Sequence, residues 1–152
     1  MKINKKIGVL ERCAIDYRNK KLSDIGLSGC NYNYIICVCK NPGISQEEIV
    51  KRIYVNKSNV ARNLKVLEND GFIYKKVSDL DKRINMIYPT EKALNALPKI
   101  REVIREWNDI ILNGLSSEEV NVLENILEIL VNNATDYFSK EYIEENNWWK
   151  EF

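Results

Sequence analysis

Apolar residues recur at helical spacing along most of this chain and give way to a strand-like stretch near its middle. Ile3, Ile7, Leu10, Ala14 and Tyr17 repeat at alternating steps of four and three, the seam of a helix over residues 2–20. A lone helix with such a seam needs a partner. Residues 22–29 read as a short connection containing Gly26 and Gly29. Ser28 or Asn31 can cap a second helix, which runs to Lys40 through Ile35, Ile36, Cys37 and Val38 until Pro42 and Gly43 end it. Ser45 followed by Glu48 is a capping box and opens a short helix to Ile53. Tyr54, Val55 and Asn56 then turn into the next helix.

That next stretch, residues 56–83, is the most informative. Asn56 is a good N-cap and Gly71 a good stop. Val60, Leu64 and Leu67 form one apolar face. The opposite face carries Ser58, Asn59, Arg62 and Lys65, with Lys57 at the leading end; the acids Glu68 and Asp70 come only in the last turn. Residues 72–77 and 84–88 read as two strands, the second ended by Pro89, joined by a charged tip at 78–83. Within the tip, Asp81 stands where a charge-assisted hydrogen bond can hold Arg83. Two short helices joined by a tight turn, followed by a hairpin with a basic tip, predict a winged helix-turn-helix that reads DNA. In that reading Lys57, Ser58, Asn59 and Arg62 meet major-groove edges and nearby phosphates. Ser45, Gln46 and Lys51 on the preceding helix, together with Lys65, Lys75 and Lys76, are candidates for backbone contacts, and Arg83 for the minor groove.

The remainder is helical. Thr90 caps a long helix over 91–113 whose apolar face is Leu94, Leu97, Ile100, Ile104, Trp107 and Ile111. Pro98 lies inside it and predicts a bend near residues 94–98. Gly114 breaks the chain, and Ser116 with Glu119 forms a second capping box. The helix after it carries Val120, Leu123, Ile126, Leu127, Leu130, Ala134, Tyr137 and Phe138, more apolar surface than one outer helix needs. Trp148, Trp149 and Phe152 end the chain and are expected to pack onto the assembly.

Length and charge sharpen the picture. The 152 residues suit a single domain. Net charge is only +1, but it is unevenly placed. Residues 40–90 hold 10 Lys and Arg against 6 Asp and Glu, a balance of +4, whereas residues 117–152 hold 2 against 9, a balance of −7. A basic reading region beside an acidic assembly region fits a DNA binder. No apolar run approaches the ~20 residues of a membrane span, and the N-terminus lacks a signal-peptide core, so a cytoplasmic location is expected. Four cysteines, at 13, 30, 37 and 39, form no recognisable framework. Histidine is absent. With no phosphate-binding glycine loop, metal-ligand cluster or nucleophile triad, no catalytic residue, metal or cofactor is expected.

The segment from Asn56 onward resembles the core of the multiple antibiotic resistance regulator (MarR) family of bacterial transcription factors. The residues that carry the resemblance are Lys57, Ser58, Val60, Arg62, Leu67, Glu68, Gly71, Phe72, Ile73, the Asp81-Lys82-Arg83 of the wing, and Pro89, Thr90 and Glu91. It extends more loosely over nearly the whole chain; the aromatic tail departs from it. The resemblance implies a mainly α fold with a small β-hairpin wing. Its winged helix-turn-helix lobe would span 30–90, and its dimerisation helices 1–20 and 91–152. It also implies a minimal strand at Ile44 and a homodimeric, mostly repressing regulator of pseudo-palindromic double-stranded DNA. Release by a small-molecule effector or an oxidant is common in the family. An N-terminal cysteine is the sensor in one peroxide-responsive branch, which marks Cys13. Tyr17, Tyr32, Tyr34 and Trp107 are the aromatics to inspect for a ligand cleft. The competing reading is a winged-helix adaptor that binds protein, with little specific affinity for DNA.

Overall fold

The computed structural model describes residues 2–142, and side chains as far as residue 137. Two compact units are present, Met1–Trp107 and Asn108–Phe152.

In the first unit α1 (Lys2–Leu22) leads through a single 3-10 turn, Ser23–Ile25, to α2 (Tyr32–Lys40). Then come β1 (Ile44–Ser45), α3 (Gln46–Ile53), α4 (Lys57–Asn69) and the hairpin strands β2 (Ile73–Val77) and β3 (Asn85–Pro89). Helix α5 (Glu91–Leu112) begins in this unit, and α6 (Ser117–Tyr142) belongs to the second. The small sheet is antiparallel with β3 in the middle, order β1-β3-β2. Ile44 faces Ile87 across it, and Lys75 faces Ile87 from the other side. The minimal strand at Ile44 is therefore present. The core lies where the helices meet this sheet: Ile35, Val38, Ile49, Val60, Leu64, Leu67, Phe72, Ile87, Ile100 and Val103 are buried together.

The caps explain where the elements start. Ser45 and Asn56 have extended backbones, ψ 159 and 151, which aim their side chains at the first turn. Ser45 Oγ accepts the Glu48 N–H at 3.2 Å, while Glu48 Oε2 accepts the Ser45 N–H at 2.8 Å. Asn56 Oδ1 accepts the Asn59 N–H at 2.9 Å. Ser116 and Glu119 repeat the capping box ahead of α6, with bonds of 3.2 and 2.8 Å.

Helix α2 departs from expectation. Asn31 stands at its N-cap with a helical backbone (φ −98, ψ −7) and makes no side-chain cap bond, because that conformation turns the side chain away from the first-turn donors. Ser28 acts only through its carbonyl, which accepts the Asn31 N–H at 3.0 Å. Element ends also move: α1 runs on to Leu22, β2 starts at Ile73, and β3 takes in Pro89, which pairs with Ile73 at the end of the ladder. Helix α5 continues through Pro98 without interruption, so the Leu94 carbonyl lacks its helical donor there.

The seam of α1 is only half used. Ala14 is buried, but Ile3, Ile7 and Leu10 remain 62, 50 and 52% exposed. Lower on the same helix Arg18 is buried, donating to the Gly29 carbonyl at 3.0 Å and to Glu11 at 3.1 Å. Gly29 comes so close that a Cβ would sit 2.7 Å from the Ile15 carbonyl oxygen. In the second unit, Val122, Ile126, Leu127, Ile129 and Leu130 of α6 are all exposed. Residues 143–152, with the tryptophan pair, lie outside the described residues.

Candidate nucleic-acid interface

The candidate reading surface is built on α4. Val60, Leu64 and Leu67 are fully buried and fix one side of the helix against the core. Its end is a Schellman motif: the Gly71 N–H donates to Glu68 O at 3.1 Å and the Phe72 N–H to Leu67 O at 2.9 Å. Gly71 adopts φ +75, and the buried Phe72 and Leu67 supply the apolar contact of that motif. The free side is what the pattern predicted. Lys57, Ser58, Arg62 and Lys65 are exposed, and Asn59 is half-buried. The turn before α4 passes through Tyr54, a non-glycine residue in the left-handed region (φ 51, ψ 39).

Ser45 and Gln46, at the start of α3, are half-buried. Ser45 spends its hydroxyl on Glu48, donating to Oε2 at 2.7 Å. Those bonds, the backbone N–H first, hold the Glu48 carboxyl below its ordinary range. Lys51 lies 3.9 Å from Glu47 one turn away.

The wing carries an almost fully exposed cation. Arg83 keeps 90% of its side-chain surface accessible. Asp81 holds it by three bonds: Nε to Oδ1 at 3.1 Å, Nη2 to Oδ2 at 3.2 Å, and the Arg83 backbone N–H to Oδ1 at 2.9 Å. These bonds, the side-chain ones first, draw the Asp81 carboxyl below its ordinary range. The result is a fork held in one orientation at a loop tip, with hydrogens still free to meet an acceptor. Lys76 is exposed on β2, its ammonium 5.7 and 5.6 Å from the ring centroids of Tyr74 and Tyr88, which stack on each other at 5.4 Å. Lys75 points otherwise and is paired with Glu68 at 2.9 Å.

Some contacts around this surface have no counterpart in the sequence reading. Asn63 Nδ2 donates to the hydroxyl of buried Tyr34 at 3.0 Å and ties α4 to α2. Tyr34 is thus a brace for α4. Tyr17 packs on Trp107 at 5.4 Å and donates to Glu106 at 2.7 Å, while Tyr32 lies beneath the Arg18 guanidinium at 4.8 Å. None of these four aromatics lines the open pocket of about 520 Å3 formed by Ile25, Phe72, Glu91, Lys92, Asn95 and Ala96. Cys13 is exposed on α1, and burial pushes the Cys39 thiol up to about 11. Among the described residues no group of His, Cys, Asp and Glu could hold a metal ion, and no helix is long and apolar enough to cross a membrane.

Comparison with known proteins bears directly on this architecture. The model of the MarR family matches residues 26–84, from within the connection between α1 and α2 to the wing. The helix-turn-helix-type transcriptional regulator YybA of Bacillus subtilis (strain 168), itself uncharacterised, is 30% identical over 145 residues, 95% of each chain. The chain belongs to the MarR family. It is thereby a member of a family of transcriptional regulators, and its folded form agrees. The crystal structure of the transcriptional regulator SlyA superposes with a TM-score of 0.86 at 34% identity, covering 91% of this chain and 98% of SlyA. A putative MarR-family regulator from Listeria monocytogenes, crystallised with a 26mer DNA, superposes at 0.80 with 28% identity, covering 93 and 96%. In this MarR-family chain the shared architecture is the mainly helical frame with the three-stranded wing sheet.

Proposed function

We propose that this MarR-family chain is a homodimeric, DNA-binding regulator, in most settings a repressor, acting on pseudo-palindromic double-stranded DNA in the cytoplasm. The observation that carries the reading is the wing tip, where Asp81 holds a 90% exposed Arg83 in a fixed orientation. A cation immobilised on an exposed loop binds an anion with less ordering cost than a free side chain. Beside it α4 offers Lys57, Ser58, Asn59, Arg62 and Lys65, with no acid before Glu68. In this reading α4 enters the major groove, with Lys57, Ser58, Asn59 and Arg62 at base edges and flanking phosphates. Ser45, Gln46, Lys65 and Lys76 meet the backbone, and Arg83 enters the minor groove. The relative from Listeria monocytogenes crystallised with DNA supports the partner class. The lobe at 30–90 does the reading, and the regions 1–20 and 91–152 do the assembly. The exposed apolar faces of α1 and α6 support a second copy as the occupant. The role is one of binding, with no catalytic step and no cofactor. A small-molecule effector or oxidation at exposed Cys13 would act by changing the spacing of the two α4 helices.

The test is fluorescence anisotropy of the purified protein on the intergenic DNA beside its own gene and on scrambled DNA, across a salt series, with the mass in solution from light scattering. A dimer that binds the native fragment tightly and loses affinity steeply with salt is the expected result. Equal weak binding to both DNAs, with a stable complex with another protein recovered from its own cells, would replace this reading with the adaptor one.

A further inference from the structure

Leu80 is the most exposed large apolar side chain among the described residues, 99% accessible at the wing tip. A leucine on a slack loop would fold back onto the neighbouring Val77 and Ile84, themselves 57 and 43% exposed. The tip does not allow it. Ser78 Oγ accepts the N–H groups of Leu80 at 3.2 Å and Asp81 at 3.4 Å. The Ser78 N–H donates to Ile84 O at 2.8 Å and the Ile84 N–H to Asp81 O at 2.9 Å. Asp81 in turn grips Arg83. The chain is thus pinned on both sides of Leu80, and the side chain is presented outward beside an oriented guanidinium.

Its surroundings say what it would meet. Exposed Lys76, Lys82 and Arg83 flank the apolar trio Val77, Leu80 and Ile84. Cations interleaved with hydrocarbon match a nucleic-acid groove, with its anionic phosphate rims and its walls of deoxyribose C–H groups. We propose that Leu80 enters the minor groove beside Arg83 and packs against the deoxyribose walls. This inference deepens the DNA-binding reading and rests on it. In a narrow groove both walls reach the side chain, so Leu80 favours A·T-rich steps under the wing, a selection by shape without a base hydrogen bond. The contact releases no counterion and is insensitive to salt.

The probe is the duplex that wild-type protein enriches from a randomised pool, with a second duplex in which the base pairs protected by the wing are changed from A·T to G·C. Wild type, Leu80→Ala and Arg83→Ala are titrated on both across a salt series. Leu80→Ala is expected to bind the A·T duplex about three- to tenfold more weakly, with an unchanged salt slope and reduced discrimination between the duplexes. Its thermal midpoint should match wild type, since the side chain touches nothing in the folded chain. Wild-type affinity of Leu80→Ala on both duplexes would overturn the assignment, as would an equal loss on both or a loss that vanishes at high salt. If wild-type protein enriches no duplex, the DNA-binding reading itself falls, and this assignment with it.

Discussion

Replacing Arg83 by alanine separates the charge of the wing from every other contact. The side chain is 90% exposed and bonded only to Asp81 in the same tip, so its removal should leave the thermal midpoint where it was. Its effect on DNA binding follows from counterion release. Each cation that neutralises DNA charge contributes about 0.9 to the slope of log affinity against log salt. A dimer loses two such cations, so the slope should become shallower by about 1.8. Between about 50 and 200 mM salt that difference amounts to about tenfold, so the defect of Arg83→Ala should be about ten times larger at the low end. The assay is anisotropy on one duplex at four or more salt concentrations. Asp81→Ala is the companion variant. It releases the fork but keeps its charge, so its slope should be no shallower than wild type. Parallel salt lines for Arg83→Ala and wild type would refute the placement of this cation against DNA, even if absolute affinity fell.

Further outcomes follow from other parts of the fold. Gly71→Ala forces an L-residue to φ +75 at the end of α4 and should lower stability by about 1 kcal/mol in urea unfolding; unchanged stability would show the helix end relaxing elsewhere. Ile7→Glu puts a charge on the exposed seam of α1 and should convert a dimer to monomer by light scattering, whereas a persistent dimer would exclude this seam from the assembly. The folded Glu48 carboxyl lies below its ordinary value of 4.5, held there first by the Ser45 backbone N–H and then by the Ser45 hydroxyl. Its contribution is therefore full above pH 4.5 and lost as pH falls through the lower folded value. The stability gap between wild type and Glu48→Gln should shrink over that range, and a constant gap would contradict the capping role.

The sequence made local devices legible and left distant ones hidden. Ser45 with Glu48, Asn56 with Asn59, Gly71, and Asp81 with Arg83 all act within a few residues, so residue type and spacing disclose them. The apolar face of α4 was readable because helical periodicity decides which side packs, and Val60, Leu64 and Leu67 are all buried. Asn31 misled because its residue type suits a cap while its backbone is already helical. Lys75 looked like a free cation on a strand; the register brings it to Glu68 on α4, a pairing that depends on how the helix crosses the sheet. Tyr34 and Asn63 are 29 positions apart, and only the packing of α2 on α4 reveals their bond.

The placement of α4 depends on more than its buried face. Three packed residues fix which side of a helix faces inward, but they leave it free to slide and tilt by small amounts. Here both parts of the helix are also bonded from outside. Asn63 is held by Tyr34 of α2 at 3.0 Å. At the other end, the Thr90 hydroxyl lies 2.7 Å from the Gly71 carbonyl oxygen and 3.0 Å from that of Phe72, and the Thr90 N–H also donates to Phe72 O at 3.0 Å. Lys92 donates to the Asp70 carbonyl at 2.8 Å while its ammonium sits 4.2 Å from the Phe72 ring centroid. These carbonyls belong to the exit of α4, where a helix leaves acceptors unpaired. The first turn of α5 therefore supplies donors that α4 needs, and the orientation of the exposed residues Ser58, Arg62 and Lys65 is set from α2 and α5 as well as from the core. Substitutions at Tyr34, Thr90 or Lys92 should therefore act on the proposed reading surface through geometry, whereas those at Arg62 or Arg83 should act on it by removing the proposed contact itself.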